Sequence, residues 1–306
     1  MLDATARSSP LLAPASVVPE GLDAPRAPFV RFSALWIQIT GTWCNLACAH
    51  CLNASGPGEP WLRPLDAGVA RAALAEAEAL GVREVYFTGG EPFLHRELLP
   101  LLAESLAVAP TTVLTNGTRI TDAVADRLGA LARAARYSLE IRVSLDDTDE
   151  ALNDRVRGRG AWAKAVGAIR RLHARGLLPI VTATEILADA RPVGAGTYDR
   201  FRAFLLALGV DKPRVKILPV LPAGRLAGEG RATLTEADLE GFDRGSLPCA
   251  ETRVVAHDGV YACPILAGLA GARLSSGSLA DSFRATPLYH GACVTCHASG
   301  LTCRNA

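Results

Sequence analysis

The sequence is short of several features that would place it in a specialised class of protein. It has no apolar run approaching the roughly 18 uninterrupted residues of a membrane span, and it contains no internal repeats. Its net charge at pH 7 is only +1, so its composition does not indicate nucleic acid or an anionic membrane surface as a partner. We therefore expect a globular protein with no nucleic-acid and no membrane partner.

The N-terminal segment 1–30 lacks the pattern of a secretory signal. Its apolar stretch, residues 11–18, is short and contains Pro14, and Asp3 precedes it. Five prolines between residues 10 and 28 break any helix in this segment. We expect a disordered or surface-draped arm and a cytoplasmic protein, whose eight cysteines bind metal rather than form disulfides.

Between residues 31 and 222, short apolar runs alternate with helical patterns, which predicts an α/β architecture with a parallel sheet. Parallel strands that are buried on both faces are short and apolar throughout. The predicted strands are Ala34–Thr40, Glu84–Thr88, Thr112–Thr115, Leu139–Leu145, Pro179–Ile186 and Arg214–Leu218. The predicted helices lie at about 65–80, 121–132, 161–175 and 198–208. The pattern alone does not distinguish a partial barrel from a doubly wound sheet.

Three cysteines lie close together on one loop after the first predicted strand. Cys44, Cys48 and Cys51 have the spacing C-x3-C-x2-C. Three thiolates on such a loop can hold three irons of a [4Fe–4S] cube and leave the fourth iron free for a small chelating molecule. The alternatives are two ligands of a zinc site with a spare thiol, or buried thiols without a ligand.

A second motif, Gly89-Gly90-Glu91-Pro92, ends the next predicted strand. The two glycines let the backbone approach a ligand closely, and Glu91 supplies an acceptor at the mouth of a barrel. Together with the cysteine loop, this motif resembles the radical S-adenosylmethionine (SAM) superfamily. The resemblance implies a partial (β/α)6 TIM-like barrel and a [4Fe–4S] cluster that binds SAM. It also implies reductive cleavage of SAM to a 5′-deoxyadenosyl radical, which abstracts hydrogen from a substrate, and an electron donor such as flavodoxin or ferredoxin.

The resemblance also implies contacts between SAM and particular residues. The Gly-Gly-Glu-Pro segment would receive the amino group of SAM, Ser144 would bind its ribose, and Arg157 would pair with its carboxylate. Arg155 and Arg159 compete with Arg157 for that role. The residues expected to bind SAM are Gly89, Gly90, Glu91, Pro92, Asn116, Ser144, Arg157 and Thr184. His50 stands where many family members have an aromatic residue.

Five further cysteines occupy the C-terminal region: Cys249, Cys263, Cys293, Cys296 and Cys303. The intervening Asp-Gly pair at 258–259 favours a tight hairpin that brings the first two together. The set resembles the SPASM and twitch extensions of radical SAM enzymes, which implies one auxiliary [4Fe–4S] cluster held by the first four. Cys303 is then a replacement ligand, a structural thiol or a catalytic hydrogen donor. A zinc ribbon is the alternative for the same residues.

The sequence thus predicts a radical SAM barrel at 31–222 and a small cysteine-rich, cluster-binding domain at 223–306. The function expected from the resemblance is that of a radical SAM peptide or protein maturase, which oxidises, crosslinks or epimerises its substrate. The alternatives are a radical SAM enzyme that acts on a small molecule or cofactor precursor, and a non-enzymatic zinc or iron–sulfur protein.

Overall fold

The computed structural model describes residues 24–58, 60–186, 196–228 and 233–300 of the 306-residue chain. The strands are β1 (Arg26–Ala27), β2 (Ala34–Gln38), β3 (Glu84–Thr88), β4 (Thr111–Thr115), β5 (Leu139–Ser144), β6 (Ile180–Thr184), β7 (Arg214–Leu218), β8 (Thr252–Ala256), β9 (Gly259–Tyr261), β10 (Arg273–Ser275) and β11 (Thr286–Pro287). The helices are α1 (Ala67–Ala79), α2 (Leu98–Val108), α3 (Asp122–Ala134), α4 (Glu150–Arg157), α5 (Ala161–Ala174), α6 (Thr197–Ala207) and α7 (Gly291–Ser299).

Nine of the strands form one sheet, in the order β10-β9-β8-β2-β3-β4-β5-β6-β7. Strands β2 to β7 are parallel and stand side by side in chain order. A doubly wound sheet reverses its strand order in the middle, so this uninterrupted winding is that of a barrel. Within the described residues, β7 and β10 are the edges of the sheet, and the barrel is therefore open. The prediction of six parallel strands in a partial α/β barrel is confirmed.

The predicted strands are correct because they carry unbroken apolar runs, and every residue of β2 is buried. The predicted helices correspond to α1, α3, α5 and α6. The helices α2 and α4 are absent from the sequence-based prediction. Pro100 suppressed the helical signal of α2, although proline is tolerated in the first turn, where it lies. The eight residues of α4 are too few for a clear period, but Asp149 caps them by accepting from the Leu152 N–H at 2.9 Å.

The C-terminal region extends the barrel sheet rather than standing apart from it. Strand β8 pairs in parallel with β2, on the side opposite β3, and β9 returns as the predicted hairpin. An apolar core joins the two parts: Trp36 and Tyr86 of the barrel, stacked at 4.3 Å, pack in one cluster with Val254 and Tyr261. Apolar packing therefore holds the strands of this region to the barrel.

The segment from residue 24 to residue 30 is ordered and does not belong to a loose arm. Strand β1 pairs with β11, Ala27 is fully buried, and the rings of Phe29 and Phe283 stack at 4.4 Å. The prediction of a disordered arm over 1–30 is thus corrected for these residues, because apolar side chains and strand pairing anchor them. Its remaining part, residues 1–23, lies outside the described residues, as does Cys303.

In the part of the chain that the structure describes, no helix is both long enough and apolar enough to span a bilayer.

Candidate active site

A cleft at the carboxyl ends of β2 to β7 gathers most of the predicted site residues. It encloses about 950 Å³, counted to its open mouth. The carboxyl ends of the strands are where parallel α/β barrels place their active sites. The predicted residues that line this cleft are Cys44, Cys48, Cys51, Gly89, Gly90, Asn116, Ser144, Arg157 and Thr184. Of the predicted SAM contacts, Glu91 and Pro92 do not line it.

The thiols of the cysteine loop are shielded and already accept backbone hydrogen bonds. The Leu46 N–H donates to Cys44 Sγ at 3.4 Å, and the Ser55 N–H donates to Cys51 Sγ at 3.3 Å. Burial raises the pKa of Cys44 to about 12 and also raises the pKa of Cys48. Such thiols lose their protons when a metal cation binds and compensates their charge. The loop therefore has the donors and the surroundings that a metal cluster requires.

The two glycines hold the cysteine loop against β3. A Cβ atom on Gly90 would lie 2.1 Å from the carbonyl oxygen of Trp43 and 2.8 Å from Cys44 Cβ. Gly89 has a φ of +145°, and its Cβ would lie 2.2 Å from Thr40 Oγ1. The next residue, Glu91, donates its N–H to the same Trp43 carbonyl at 3.0 Å. Glycine is required here because the two backbones are in contact.

The side chain of Glu91 points away from the cleft and has a structural role. It is fully buried; Oε1 accepts from Thr115 Oγ1 at 2.6 Å, and Oε2 accepts from the Asn116 N–H at 2.8 Å. Burial raises the pKa of Glu91 to about 7, even though these bonds favour the carboxylate. Pro92 is buried as the first residue of a short 3-10 helix. Neither side chain lines the cleft, and the expected contact of Glu91 and Pro92 with SAM stays a prediction.

Asn116 connects the end of β4 to the first cysteine. Its Nδ2 donates to Cys44 Sγ at 3.7 Å and to Asn45 Oδ1 at 3.1 Å. Its Oδ1 accepts from the Thr118 N–H at 2.9 Å. The carboxamide is therefore held in one orientation with its donor face on the cysteine loop. Its predicted place beside the cleft agrees with this geometry.

On the other side of the cleft, the carboxylate of Asp146 contacts several site residues, a role that the sequence did not reveal. Its Oδ2 lies 2.7 Å from Arg157 Nε, and its Oδ1 accepts from Arg157 Nη2 at 3.1 Å. The Thr184 N–H donates to Oδ1 at 3.0 Å, and His50 Nε2 lies 3.3 Å from Oδ2. This buried carboxylate thus ties together α4, β6 and the cysteine loop. The sequence feature that could have identified Asp146 is its position just after the end of β5, two residues past Ser144.

The guanidinium of Arg157 is paired with Asp146 and also lines the cleft, and its predicted pairing with the SAM carboxylate stays a prediction. Its remaining nitrogen, Nη1, points at Cys48 Sγ at a distance of 4.0 Å. The competing Arg155 and Arg159 are exposed, so only Arg157 reaches the cleft.

Arg225, from the loop after β7, closes the cysteine loop from outside. Its Nη1 donates to the Cys48 carbonyl at 2.9 Å, and its Nη2 donates to the Ser55 carbonyl at 2.6 Å. The neighbouring Gly224 packs so tightly that its Cβ would lie 2.2 Å from the Cys51 carbonyl oxygen. The sequence identified this stretch only as a loop, since nothing local reveals a contact across 177 residues.

A second cavity, of about 450 Å³, lies in the C-terminal region. Four of the five predicted cysteines line it: Cys249, Cys263, Cys293 and Cys296. The apolar side chains that line it are those of Leu247, Pro248, Ile265, Leu266, Leu288 and Ala292. Burial raises the pKa of Cys249 and Cys263, and it raises that of Cys293 to about 12. Among the described residues, no three metal-binding side chains converge on a single-ion position. The four thiols surround a volume instead.

A third cavity, of about 340 Å³, lies between the other two. It shares Leu52 and Asn53 with the cleft, and it shares Ile265 with the second cavity. Trp61 and His290 also line it. The middle cavity therefore adjoins both of the cysteine-lined cavities.

Several buried polar atoms along the cleft have no hydrogen-bond partner within the described residues. They are His50 Nδ1, Asn53 Nδ2, Ser55 Oγ and Thr182 Oγ1. Burial lowers the pKa of His50 and so favours its neutral imidazole. Unmet polar groups of this kind are costly unless a ligand or water satisfies them. The cleft is therefore suited to a polar ligand with both donors and acceptors.

Residues 39–188 match the family model described as the Radical SAM superfamily. The matched span begins just before the cysteine loop and ends just after β6, so it contains Cys44, Gly90, Asp146 and Arg157. This chain carries a radical SAM domain. Its expected enzyme class and its expected cofactors, SAM and a [4Fe–4S] cluster, are thereby confirmed.

Known proteins resemble the radical SAM chain over different spans. Mycofactocin maturase MftC of Mycolicibacterium smegmatis is 28% identical over 326 aligned residues, which cover 90% of this chain and 76% of the relative. GTP 3′,8-cyclase 2 of Mycobacterium tuberculosis is 35% identical over 144 residues, or 45% of this chain and 38% of the relative. The structure of Streptococcus suis SuiB bound to SAM matches with a TM-score of 0.61 at 17% identity, over 85% of this chain and 67% of SuiB, and indicates a shared fold.

We expect Gly90→Ala to remove the cluster from the radical SAM cleft. The new methyl group cannot fit between Trp43 and Cys44 without displacing the cysteine loop. The anaerobically reconstituted variant should lose about four irons per chain, measured by iron analysis and by the visible absorption of the cluster. Gly58→Ala is the matched control, because nothing lies within 4 Å of its Cβ position. Wild-type iron content in Gly90→Ala would contradict the proposed contact.

Proposed function

We propose that this radical SAM enzyme is a peptide or protein maturase that oxidises, crosslinks or epimerises its substrate. The observation that carries the proposal is the second four-cysteine cavity, which is separated from the radical SAM cleft by one cavity that shares lining residues with both. The similarity to mycofactocin maturase MftC over 90% of this chain supports it. The similarity to the GTP cyclase, which favours a small-molecule substrate, covers only 45% of this chain.

In this proposal Cys44, Cys48 and Cys51 hold the cluster that binds SAM. When bound, the cluster and SAM would supply the chemistry of hydrogen-atom abstraction, which one electron initiates. The protein's own residues bind, orient and shield. Gly89 and Gly90 offer main-chain groups at close range, which fits the expected seat of the SAM amino group.

The other residues that line the cleft would orient SAM and the cluster. Asn116 directs its amide at the cysteine loop, Ser144 and Thr184 offer strand-end hydroxyls, and Arg157 acts through its pair with Asp146. In this arrangement Arg157 places positive charge near Cys48 and balances the charge of a thiolate cluster. The 4.0 Å distance between Arg157 Nη1 and Cys48 Sγ supports this role.

The second cysteine set would hold one auxiliary [4Fe–4S] cluster. Cys249, Cys263, Cys293 and Cys296 line one cavity whose other walls are apolar, a setting that shields a thiolate cluster from water. Four thiolates are the usual ligand set of such a cluster. Cys303, the proposed replacement ligand or hydrogen donor, lies outside the described residues, and its role stays a proposal from the sequence.

The part of the substrate next to the reacting group would lie in the middle cavity, while the carbon that loses hydrogen lies in the cleft beside SAM. Asn53 is 8% exposed, and its Nδ2 has no partner within the described residues, so it is available to donate to a carbonyl oxygen of a peptide. Trp61 Nε1 donates to the Asn53 carbonyl at 2.9 Å and fixes that backbone. Apolar walls from Trp61, Ile265 and Leu269 would receive a side chain beside it.

The deciding experiment follows hydrogen from substrate to cofactor. The reconstituted enzyme is mixed with SAM, dithionite and peptides deuterated at carbon: the mycofactocin precursor and the short peptides encoded beside this gene. We expect deuterium in 5′-deoxyadenosine and a modified peptide, both measured by mass spectrometry. Deuterium transfer from labelled GTP, with every peptide unchanged, would favour the small-molecule alternative and sink the proposal.

A further inference from the structure

Arg253 is a fully buried arginine beside the second cysteine cavity. It lies on β8, four residues after Cys249, and has 0% of its surface exposed. Arginine is almost never buried to this degree unless an anion pairs with it. The proposed function gives Arg253 no role, so its burial requires a physical reason.

The hydrogen-bond acceptors of the Arg253 guanidinium are all neutral carbonyls, and the charged side chain of Arg284 is close enough to repel it. Its Nε donates to the Ser282 carbonyl at 3.0 Å, Nη1 to the Cys249 carbonyl at 2.8 Å, and Nη2 to the Arg284 carbonyl at 2.9 Å. The ring of Phe29 has its centre 4.2 Å from the central carbon of this guanidinium. No carboxylate in the described part of the chain lies within ion-pair distance of it. The carbonyls satisfy its donors, but its charge has no partner.

The groups that can become anionic beside Arg253 are the thiols of the second cavity. Cys249 and Cys263 are the cysteines close enough to interact with its charge. Four thiolates around an oxidised [4Fe–4S] core carry about two net negative charges, and about three after reduction by one electron. An occupied second cavity would therefore supply the missing anion.

We propose that Arg253 is the counter-cation of an anionic thiolate cluster in the second cavity, and that it raises the reduction potential of that cluster. This inference rests on the proposed function, in which the four cysteines hold a cluster. Reduction adds one electron, here from dithionite, and takes the cluster from its 2+ to its 1+ core state. A nearby cation stabilises the more negative, reduced form more than the oxidised one. Arg253 thus favours electron acceptance at this site.

The test is a redox titration of the complete, reconstituted protein, followed by paramagnetic resonance. The signal of the second cluster is the one that added SAM leaves unchanged. At the potential where the wild-type second cluster is half reduced, the ratio of reduced to oxidised cluster in Arg253→Gln should fall at least tenfold. That change equals a shift of about 59 mV for one electron.

Two variants separate charge from hydrogen bonding. Arg253→Lys keeps the charge but loses the planar fork that reaches four carbonyls, so we expect a potential near that of the wild type. Arg273→Gln removes a cation from β10 at a side chain that is 46% exposed, where solvent screens it, and should also leave the potential unchanged. If Arg253→Gln loses the second cluster while Arg253→Lys retains it, the iron content supports the same conclusion.

Equal shifts, or equal cluster loss, in Arg253→Gln and Arg253→Lys would overturn the inference, because they would assign Arg253 a purely structural role. An unchanged potential in Arg253→Gln would overturn it as well, while leaving the cluster in place. A wild-type protein without any SAM-insensitive cluster would overturn the proposed auxiliary site itself, and the role of Arg253 with it.

Discussion

Cys44→Ala should yield no 5′-deoxyadenosine above background when the reconstituted protein is mixed with SAM and dithionite. Cys44 is the most enclosed thiol of its loop, at 6% exposure, and both Leu46 and Asn116 donate to its sulfur. Its loss leaves two thiolates, too few to hold three irons. We expect a decrease of at least about 100-fold, since removing even an outer-shell partner of a metal site can cost roughly 10- to 100-fold. Chromatography with mass detection measures the nucleoside.

The matched control for this variant is Cys296→Ala, which removes a cysteine from the second cavity and should retain SAM cleavage. Circular dichroism of both variants tests whether the fold is kept. A yield of 5′-deoxyadenosine in Cys44→Ala equal to that of the wild type would end the assignment of this loop to the SAM-binding cluster.

Cys263→Ala should separate the two halves of the reaction. The second cavity would lose one of its four thiolates, and the protein should lose about four irons per chain. The SAM cleft does not include this residue, so 5′-deoxyadenosine should still form at a rate within about twofold of the wild type. The modified peptide should fall to background, because the auxiliary site no longer accepts an electron or anchors the substrate.

Ile265→Val controls for this experiment, because it changes the wall of the same cavity without removing a ligand. It should retain both iron and product. If Cys263→Ala also stopped SAM cleavage, the second site would act by supporting the fold, and the proposed division of roles would fail.

The barrel was predictable because its strands carry a local signal. Strands β2 to β7 are short apolar runs, and the alternation with helices fixes their class before any contact is known. The pairing of β8 with β2 had no such signal, since more than two hundred residues separate the partners and each strand has the same apolar character. The sequence therefore predicted an appended domain where the structure has a continuous sheet.

The candidate site was predictable in position but not in orientation. The motif at 89–92 and the residues after β5 were expected near the cysteine loop, and the cleft brings Gly89, Gly90 and Arg157 to it. The direction of Glu91 depends on Thr115 and on the short 3-10 helix that follows it, neither of which a motif encodes. Asp146 and Arg225 were missed because partners such as His50 and Cys48 lie far away in the chain.

The contacts of Gly224 and Arg225 with the cysteine loop have a consequence for biosynthesis. The ribosome makes Arg225 177 residues after Cys48, and β8, the outer neighbour of β2, emerges later still. Until then the nascent chain carries three thiols on a loop that lacks the contacts of Gly224 and Arg225. We therefore expect stable cluster insertion to follow nearly complete translation, and the sulfurs to be more open to cellular oxidants during that interval.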